Sequence, residues 1–336
     1  MKISSLANYA VGVTVAAALL AGCSTSGNSG TNPTMGTQSR ATSSHPLSYN
    51  GKYIASAILP QVRPVQIPVQ PDHHKKKPNQ IITNFYGSDA LVFNYPKSNS
   101  STGTLTGMTD PQGECTKNGK GTYWMVSSGS DQVLEYKYGG TSPIATLSIT
   151  AGEPAGCSVN SKTGDLAVSI LGAGDVVIFA GGKGSGTTVS DSPITSTYFI
   201  GYDNAGDLFV DGFINSSIGF AEMKAGGSSF SSVSLPNSIE FPGQVQWDGT
   251  YITLNDQSAH AIYGYTVSGG SATLKQTVSL SGTSDCVQTW IAKKLVFCPD
   301  AGNENATVFK YPAGGSAIAT LSGSFDLPIG AVSVVK

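Results

Sequence analysis

The chain has 336 residues, and only 12% are charged, against roughly a quarter in a typical soluble domain. Glycine is abundant at 41, and serine and threonine fill much of the remainder. Bundles and coiled coils need charged exposed faces, so they are excluded, and many short strands joined by turns are expected. The formal net charge of −2 masks an uneven distribution described below.

The chain opens on Met1-Lys2, a short basic start, followed by a small and apolar stretch over residues 10–20. This stretch is too short to span a bilayer and has the proportions of a secretory signal. Leu20-Ala21-Gly22-Cys23 follows and matches the lipobox of bacterial lipoproteins. The match implies cleavage of residues 1–22 and acylation of Cys23, including diacylglycerol on its sulfur. Several acyl chains make a firm anchor where a single one binds reversibly. The expected address is therefore the bacterial cell envelope, with the protein membrane-anchored and facing the periplasm or the exterior.

Residues 23–80 read as a disordered tether. They are rich in Ser, Thr, Gly and Asn, and later spaced by Pro60, Pro64, Pro68, Pro71 and Pro78. Such a composition cannot bury enough apolar surface to pack. Six basic residues here face Asp72 alone, a net of +5, whereas residues 81–336 carry 12 lysines, no arginine and 20 acids, a net of −8. A basic leash thus precedes an acidic head. Its positive charge suits solubility, or contact with anionic lipid or wall polymer.

From residue 81 the chain repeats. Double glycines at Gly139, Gly181, Gly226, Gly269 and Gly314 are spaced by 42, 45, 43 and 45 residues. Each period begins with a Pro-x-Gly-like opening, as in Pro111-Gln112-Gly113 or Pro242-Gly243. An apolar strand follows, such as Trp124-Met125-Val126 or Leu166-Ala167-Val168, then a third running into the glycines and a fourth after them. Four strands per period of about 43 residues is the signature of a propeller blade. Five full periods run from Pro111 to Leu321. The C-terminal Pro328-Ile329-Gly330 run supplies one further first strand, and residues 81–106 supply the missing second, third and fourth. Residues 81–336 are therefore expected to form an all-β, six-bladed β-propeller closed by one C-terminal and three N-terminal strands.

The blade pattern, with its Asn84-Phe85-Tyr86-Gly87-Ser88-Asp89 corner, resembles the superfamily of gluconolactonase-like, NHL-repeat and virginiamycin-lyase-like propellers, and is most similar to uncharacterised secreted bacterial members. The resemblance implies fold more than activity.

Besides Cys23 there are four cysteines, an even number suited to an oxidising compartment. Cys115 and Cys157 hold the same place in consecutive blades, each nine residues before Trp124 or Leu166, and are expected at the start of inner strands. Cys286 and Cys298 flank a hairpin turning near residue 292, which would set them opposite each other. The expected pairs are Cys286–Cys298 and Cys115–Cys157.

No G-x-S-x-G, Walker loop, H-E-x-x-H or EF-hand loop occurs in the chain. An acidic propeller without arginine excludes nucleic acid as a partner, and makes phosphate-rich cofactors poor candidates. What remains is a set of acids expected around the mouth where inner strands open and second-to-third-strand corners converge: Asp110, Glu114, Glu153, Asp211, Asn255, Asp256, Asp285 and Asp300. Such oxygens suit a hard divalent cation such as calcium, or else cap turns. Gluconolactonase-like relatives hold a metal with Glu, Asn and Asp, but their early Glu-Gly-Pro phrase is missing here, so no catalytic role is carried over. A lyase would need a histidine, and the propeller has only His260, in a corner slot that Asp131, Asp175 and Asp89 are expected to share. Two functions therefore stand. One is a lipid-anchored binding module for a protein, glycan or small molecule at the propeller mouth. The alternative is a metal-dependent hydrolase or lactonase in an acidic mouth.

Overall fold

Inner strands that converge on one axis leave no room for side chains where they meet, and this sequence places glycine there. In the computed structural model, the description covers residues 79–336 except 191 and 216, plus the backbone of Ser48–Tyr49 and Lys52–Tyr53, which pair with each other. The signal peptide, Cys23 and the rest of the expected tether lie outside the described residues.

The chain is a six-bladed β-propeller. Blade 1 is composite, with Pro328–Val334 innermost, then Asn79–Asn84, Asp89–Phe93 and Ser101–Leu105. Blade 2 runs Pro111–Cys115, Thr122–Ser127, Gln132–Lys137 and Pro143–Ser148. Blade 3 runs Glu153–Val159, Leu166–Leu171, Val176–Phe179 and Thr187–Val189, and blade 4 runs Ser196–Tyr202, Leu208–Ile214, Ser217–Met223 and Ser231–Ser232. Blade 5 has Pro242–Trp247, Ile252–Asp256, Ala261–Ser268 and the long Ser271–Ser281, with Gly315–Ser316 added in parallel at its edge. Blade 6 has Trp290–Ala292, Leu295–Asp300, Asn305–Lys310 and Ala319–Leu321. The expected closure is present: Val332 pairs with Ile81 and Val334 with Asn79.

The Pro-x-Gly openings are β-bulges. Inner strands shift register between Pro111 and Glu114, Pro154 and Cys157, Pro242 and Val245, and Pro328 and Gly330. At the bulge, each inner strand meets its neighbour backbone to backbone. A Cβ on Gly113 would stand 2.5 Å from the Ala155 carbonyl, one on Gly156 2.9 Å from the Tyr198 carbonyl, and one on Gly330 would overlap the Gln112 carbonyl. The double glycines serve a different purpose. Gly139, Gly181, Gly226, Gly269 and Gly314 all have positive φ in the turn before the fourth strand, a conformation that costs glycine little.

A bulge interrupts the ladder, and side chains of the second strands supply the missing partners in the next blade. Thr83 Oγ1 donates to the Gln112 carbonyl at 3.0 Å, Ser169 Oγ to the Tyr198 carbonyl at 2.5 Å, and Asn255 Nδ2 to the Cys286 carbonyl at 2.6 Å. Gln288 of blade 6 reaches past blade 1, accepting from Ala331 N at 3.1 Å and Glu114 N at 2.8 Å, and donating to the Glu114 carbonyl at 2.6 Å. Apolar clusters fill the space between neighbouring sheets, such as Trp124, Val126, Leu166 and Val168 between blades 2 and 3. Each such side chain contributes about 1.5–3 kcal/mol when fully buried.

Both expected disulfides are present, with Cα separations of 5.7 Å for Cys115–Cys157 and 5.3 Å for Cys286–Cys298. Their positions differ in detail from expectation. Cys115 is the last residue of its inner strand rather than the first, so the bridge joins blades 2 and 3 at the far end of those strands. Cys286 bridges Asp300 rather than Cys298, because the hairpin turns at Lys293-Lys294, beyond residue 292. In the chain-entropy account the bridge spanning 42 residues contributes about 4 kcal/mol and the bridge spanning 12 about 3 kcal/mol.

Gly330→Ala tests the axial packing at a position without positive φ, where the added Cβ would run into the Gln112 carbonyl and the Thr83 hydroxyl bonded to it. It is expected to cost about 2–4 kcal/mol, read as a fall in the urea midpoint with an unchanged m-value. A midpoint equal to that of the parent chain would show that the inner ring yields.

Candidate functional site

The expected acids are buried in part and divided among several tasks. Asp256 and Asp300 hold the loops that bring the chain back to the axis. Asp256 accepts from the N–H groups of Glu240, Phe241, Ser258 and Ala259 at 2.8–3.2 Å. Asp300 accepts from Ser284 N, Asp285 N and the Asn303 side chain at 2.8–3.1 Å. Ser127 does the same for Thr109 N at 2.8 Å. A polar residue at the end of a second strand is thus a repeated clamp. Asn255 spends its amide on blade 6, as described above.

Two further acids are fully buried away from solvent. Asp211 accepts from Phe199 N at 2.7 Å through Oδ1, while Oδ2 has no hydrogen-bond partner. Glu114 lies between blades 1 and 2, and neither carboxyl oxygen makes a hydrogen bond of good geometry. Burial pushes both carboxyls well above the ordinary range, a direction that favours the neutral acid.

The opening rim gathers the remaining acids. Asp110 lies over Gly129 and Asp285 over Gly302, the same slot in blades 2 and 6. Glu153 is pushed up to about 7, chiefly by burial and further by the charges of Asp131 and Asp110, with the Gln112 amide at 3.3 Å opposing the shift. Burial, reinforced by Asp211, Asp285 and Glu153, also raises the Tyr198 phenol. Among the described residues, no three His, Cys, Asp or Glu side chains converge as a metal site would require. The sequence-derived set is therefore split between loop clamps, buried neutral acids and a loose rim. His260 sits in its corner with φ +52°, matching Asp131 at +52° and Glu304 at +49°, so the left-handed turn defines the slot. Asp89 and Asp175 fall outside that left-handed set, with Ser88 at +51° taking the slot in blade 1.

The concave site lies at the other end of the axis, where the inner strands finish. A cavity of about 1040 Å³ is lined from all six blades, by the strand ends and the turns that follow them. Its walls include Tyr95, Tyr202, Trp247 and Trp290, all half-buried. Trp124, by contrast, is core between blades 2 and 3. Gln246 fixes the wall by exchanging two hydrogen bonds with the Ile291 backbone, at 2.8 and 3.0 Å. Gln244 is 3% exposed, and its Nε2 donates to the Val245 carbonyl at 2.8 Å. That bond leaves Oε1 as the other amide atom, and Oε1 has no partner.

The funnel's charge opposes that of the head. Lys120, Lys293 and Lys294 line it and are exposed, and none makes an ion pair or side-chain hydrogen bond among the described residues. The one lining acid, Asp203, accepts from the N–H groups of Ala205, Gly206 and Asp207 at 2.8–2.9 Å. This positive, aromatic and amide-lined funnel was not foreseen from sequence. Its sequence signal is an aromatic at the finish of two inner strands, Tyr202 and Trp247, with Trp290 on a third.

No protein-family description matches the sequence, and no curated protein matches it. Solved structures match in fold. A chain of the nidogen/laminin complex superposes with a TM-score of 0.60 at 9% identity, covering 76% of this chain and 98% of that one. A Bacteroides caccae protein of unknown function gives 0.58 at 13% identity, covering 77% and 99%. Hydrazine synthase of Kuenenia stuttgartiensis gives 0.51 at 10% identity, covering 68% and 72%. At these identities the likeness is one of architecture.

The raised Glu153 carboxyl has a consequence with a fixed sign. The folded state keeps this proton to higher pH than the unfolded chain, so its contribution to stability is lost as pH rises from about 4.5 to about 7. Glu153→Gln is expected to raise stability at pH 8 by about 1–2 kcal/mol after solvent screening, and to leave it unchanged at pH 4. Melting curves across that range check it, and an equal effect at both ends would contradict the assignment.

Proposed function

We propose that this chain is a lipid-anchored protein of the bacterial envelope whose propeller binds a ligand in the axial funnel. The anchor rests on the lipobox ending at Cys23 and on the basic, unpackable stretch after it. No helix among the described residues is long and apolar enough to cross a membrane, so attachment falls to Cys23 in this reading. The binding role rests on one observation above the others: a cavity built by all six blades, with Gln244, whose buried Oε1 is unpartnered, among its lining residues. A buried polar atom without a partner costs about 1–3 kcal/mol, which a ligand donor would recover. The hydrolase reading draws no support from the acids. Asp256 and Asp300 are engaged by backbone N–H groups, Asn255 gives its amide N–H to carbonyls while its buried Oδ1 has no partner, and Glu114 and Asp211 are sealed in the walls.

Two arms test the proposal. Expressed in bacteria with labelled palmitate, the full chain is expected to take up label and sediment with membranes, and Cys23→Ser to do neither. Label on both proteins, or on neither, would remove the anchor. Separately, an envelope extract is expected to raise the melting temperature of the full chain. Trp247→Ala is expected to weaken that binding at least tenfold, about 1.4 kcal/mol. An equal shift in both would place the ligand outside the funnel.

A further inference from the structure

We infer that the funnel takes an acidic oligosaccharide, a chain of sugar rings carrying carboxylate or other anionic groups. The inference deepens the proposed function and rests on the funnel being the ligand site.

Three independent features define the ligand. The first is the floor, where Gln244 Oε1 is buried and unpartnered while its Nε2 is engaged. An acceptor so placed calls for a neutral donor, and a sugar hydroxyl provides one. The amide's orientation follows from its bond to the Val245 carbonyl, so the free atom is the oxygen.

The second feature is the wall. Trp247, Trp290, Tyr95 and Tyr202 are half-buried, leaving part of each ring open to the cavity. Ring faces beside polar amides fit the apolar C–H face of a pyranose, whose edges bear the hydroxyls. The volume of about 1040 Å³ stands at the upper end of the ~300–1,000 Å³ range of small-ligand sites, which suits an oligomer over a single ring.

The third feature is charge. Residues 81–336 carry a net of −8, yet among the described residues the funnel presents Lys120, Lys293 and Lys294 against one acid, Asp203, whose carboxylate is tied up by three backbone N–H groups. Lysines act as separate point charges, whereas a single carboxylate or phosphate is best gripped by the forked guanidinium that this propeller lacks. Spread cations match spread anions along an oligomer. They also give the funnel an attraction for anions that the rest of the head repels.

The test uses the full-length chain, with tryptophan fluorescence as readout because Trp247 and Trp290 line the cavity. The probes are trigalacturonate, neutral maltotriose and hexaglutamate. Trigalacturonate is expected to give a saturable change, at least tenfold tighter than either of the others. Raising salt from about 50 to about 500 mM is expected to weaken it at least threefold, as exposed cations are screened. The exposed pair Lys120→Gln and Lys294→Gln is expected to weaken it at least tenfold with an unchanged melting temperature, and Gln244→Met to weaken it again. Hexaglutamate binding in place of trigalacturonate, lost in Trp247→Ala, would overturn the sugar assignment and leave the funnel as a binding site. Trigalacturonate binding unaffected by the lysine and tryptophan substitutions would overturn both. No response to trigalacturonate would overturn the sugar assignment, while the envelope-extract arm continues to report on the funnel.

Discussion

Closure of the inner ring is the constraint on which the rest of this protein depends. Six strands must approach one axis, and bulges with glycine or main chain at the contact let them do so. Gly113 against Ala155, Gly156 against Tyr198 and Gly330 against Gln112 leave no space for a Cβ. The cost is an interrupted ladder at each bulge, offset by polar side chains that cross from one blade to the next. Thr83, Ser169 and Asn255 perform this role for successive carbonyls, and Gln288 ties blades 6, 1 and 2 together. These buried bonds are worth more for being partnered than any single apolar contact, since each orphan would carry the full desolvation penalty.

The same ring separates two chemically opposite ends. At the opening end, burial and the charges of Asp131 and Asp110 raise Glu153, nearby acids add to the rise of Tyr198, and the carboxylates that are best placed to bind are occupied by loop N–H groups. At the finishing end, strands splay into turns and leave a cavity with lysines at its edge and an unpartnered amide oxygen within. A propeller can present a site at either end of its axis. Here the sequence uses acids mainly to build one end and leaves a cavity at the other.

Much of the architecture was legible because the repeat is local. Double glycines mark turns that need positive φ, so their spacing of 42–45 residues counted blades directly. Pro328-Ile329-Gly330 revealed the composite blade because it repeats the openings at Pro111, Pro154 and Pro242. Matching blade positions gave the Cys115–Cys157 pairing, and the hairpin between Cys286 and Cys298 gave the other. The register of Cys286 was missed because a hairpin extrapolation assumes a regular ladder and a correctly placed turn. The candidate site was largely illegible for a physical reason. Tyr95, Lys120, Tyr202, Lys294 and the pair Gln244 and Trp247 come from five blades, share no motif, and meet only through rotation about the axis. Acids, which carry a strong sequence signal, drew the reading toward the end where they serve as clamps.

The central claim is that recognition occurs where the inner strands finish. Hydrogen–deuterium exchange on the full chain, with and without the ligand retained from envelope extract, tests it most directly. The account expects slowed exchange in the turns at 116–120, 202–204 and 292–295, with the opening loops at 107–110 and 283–285 unchanged. Protection confined to the opening loops, with the finishing turns unaffected, would contradict it and return the site to the acidic rim.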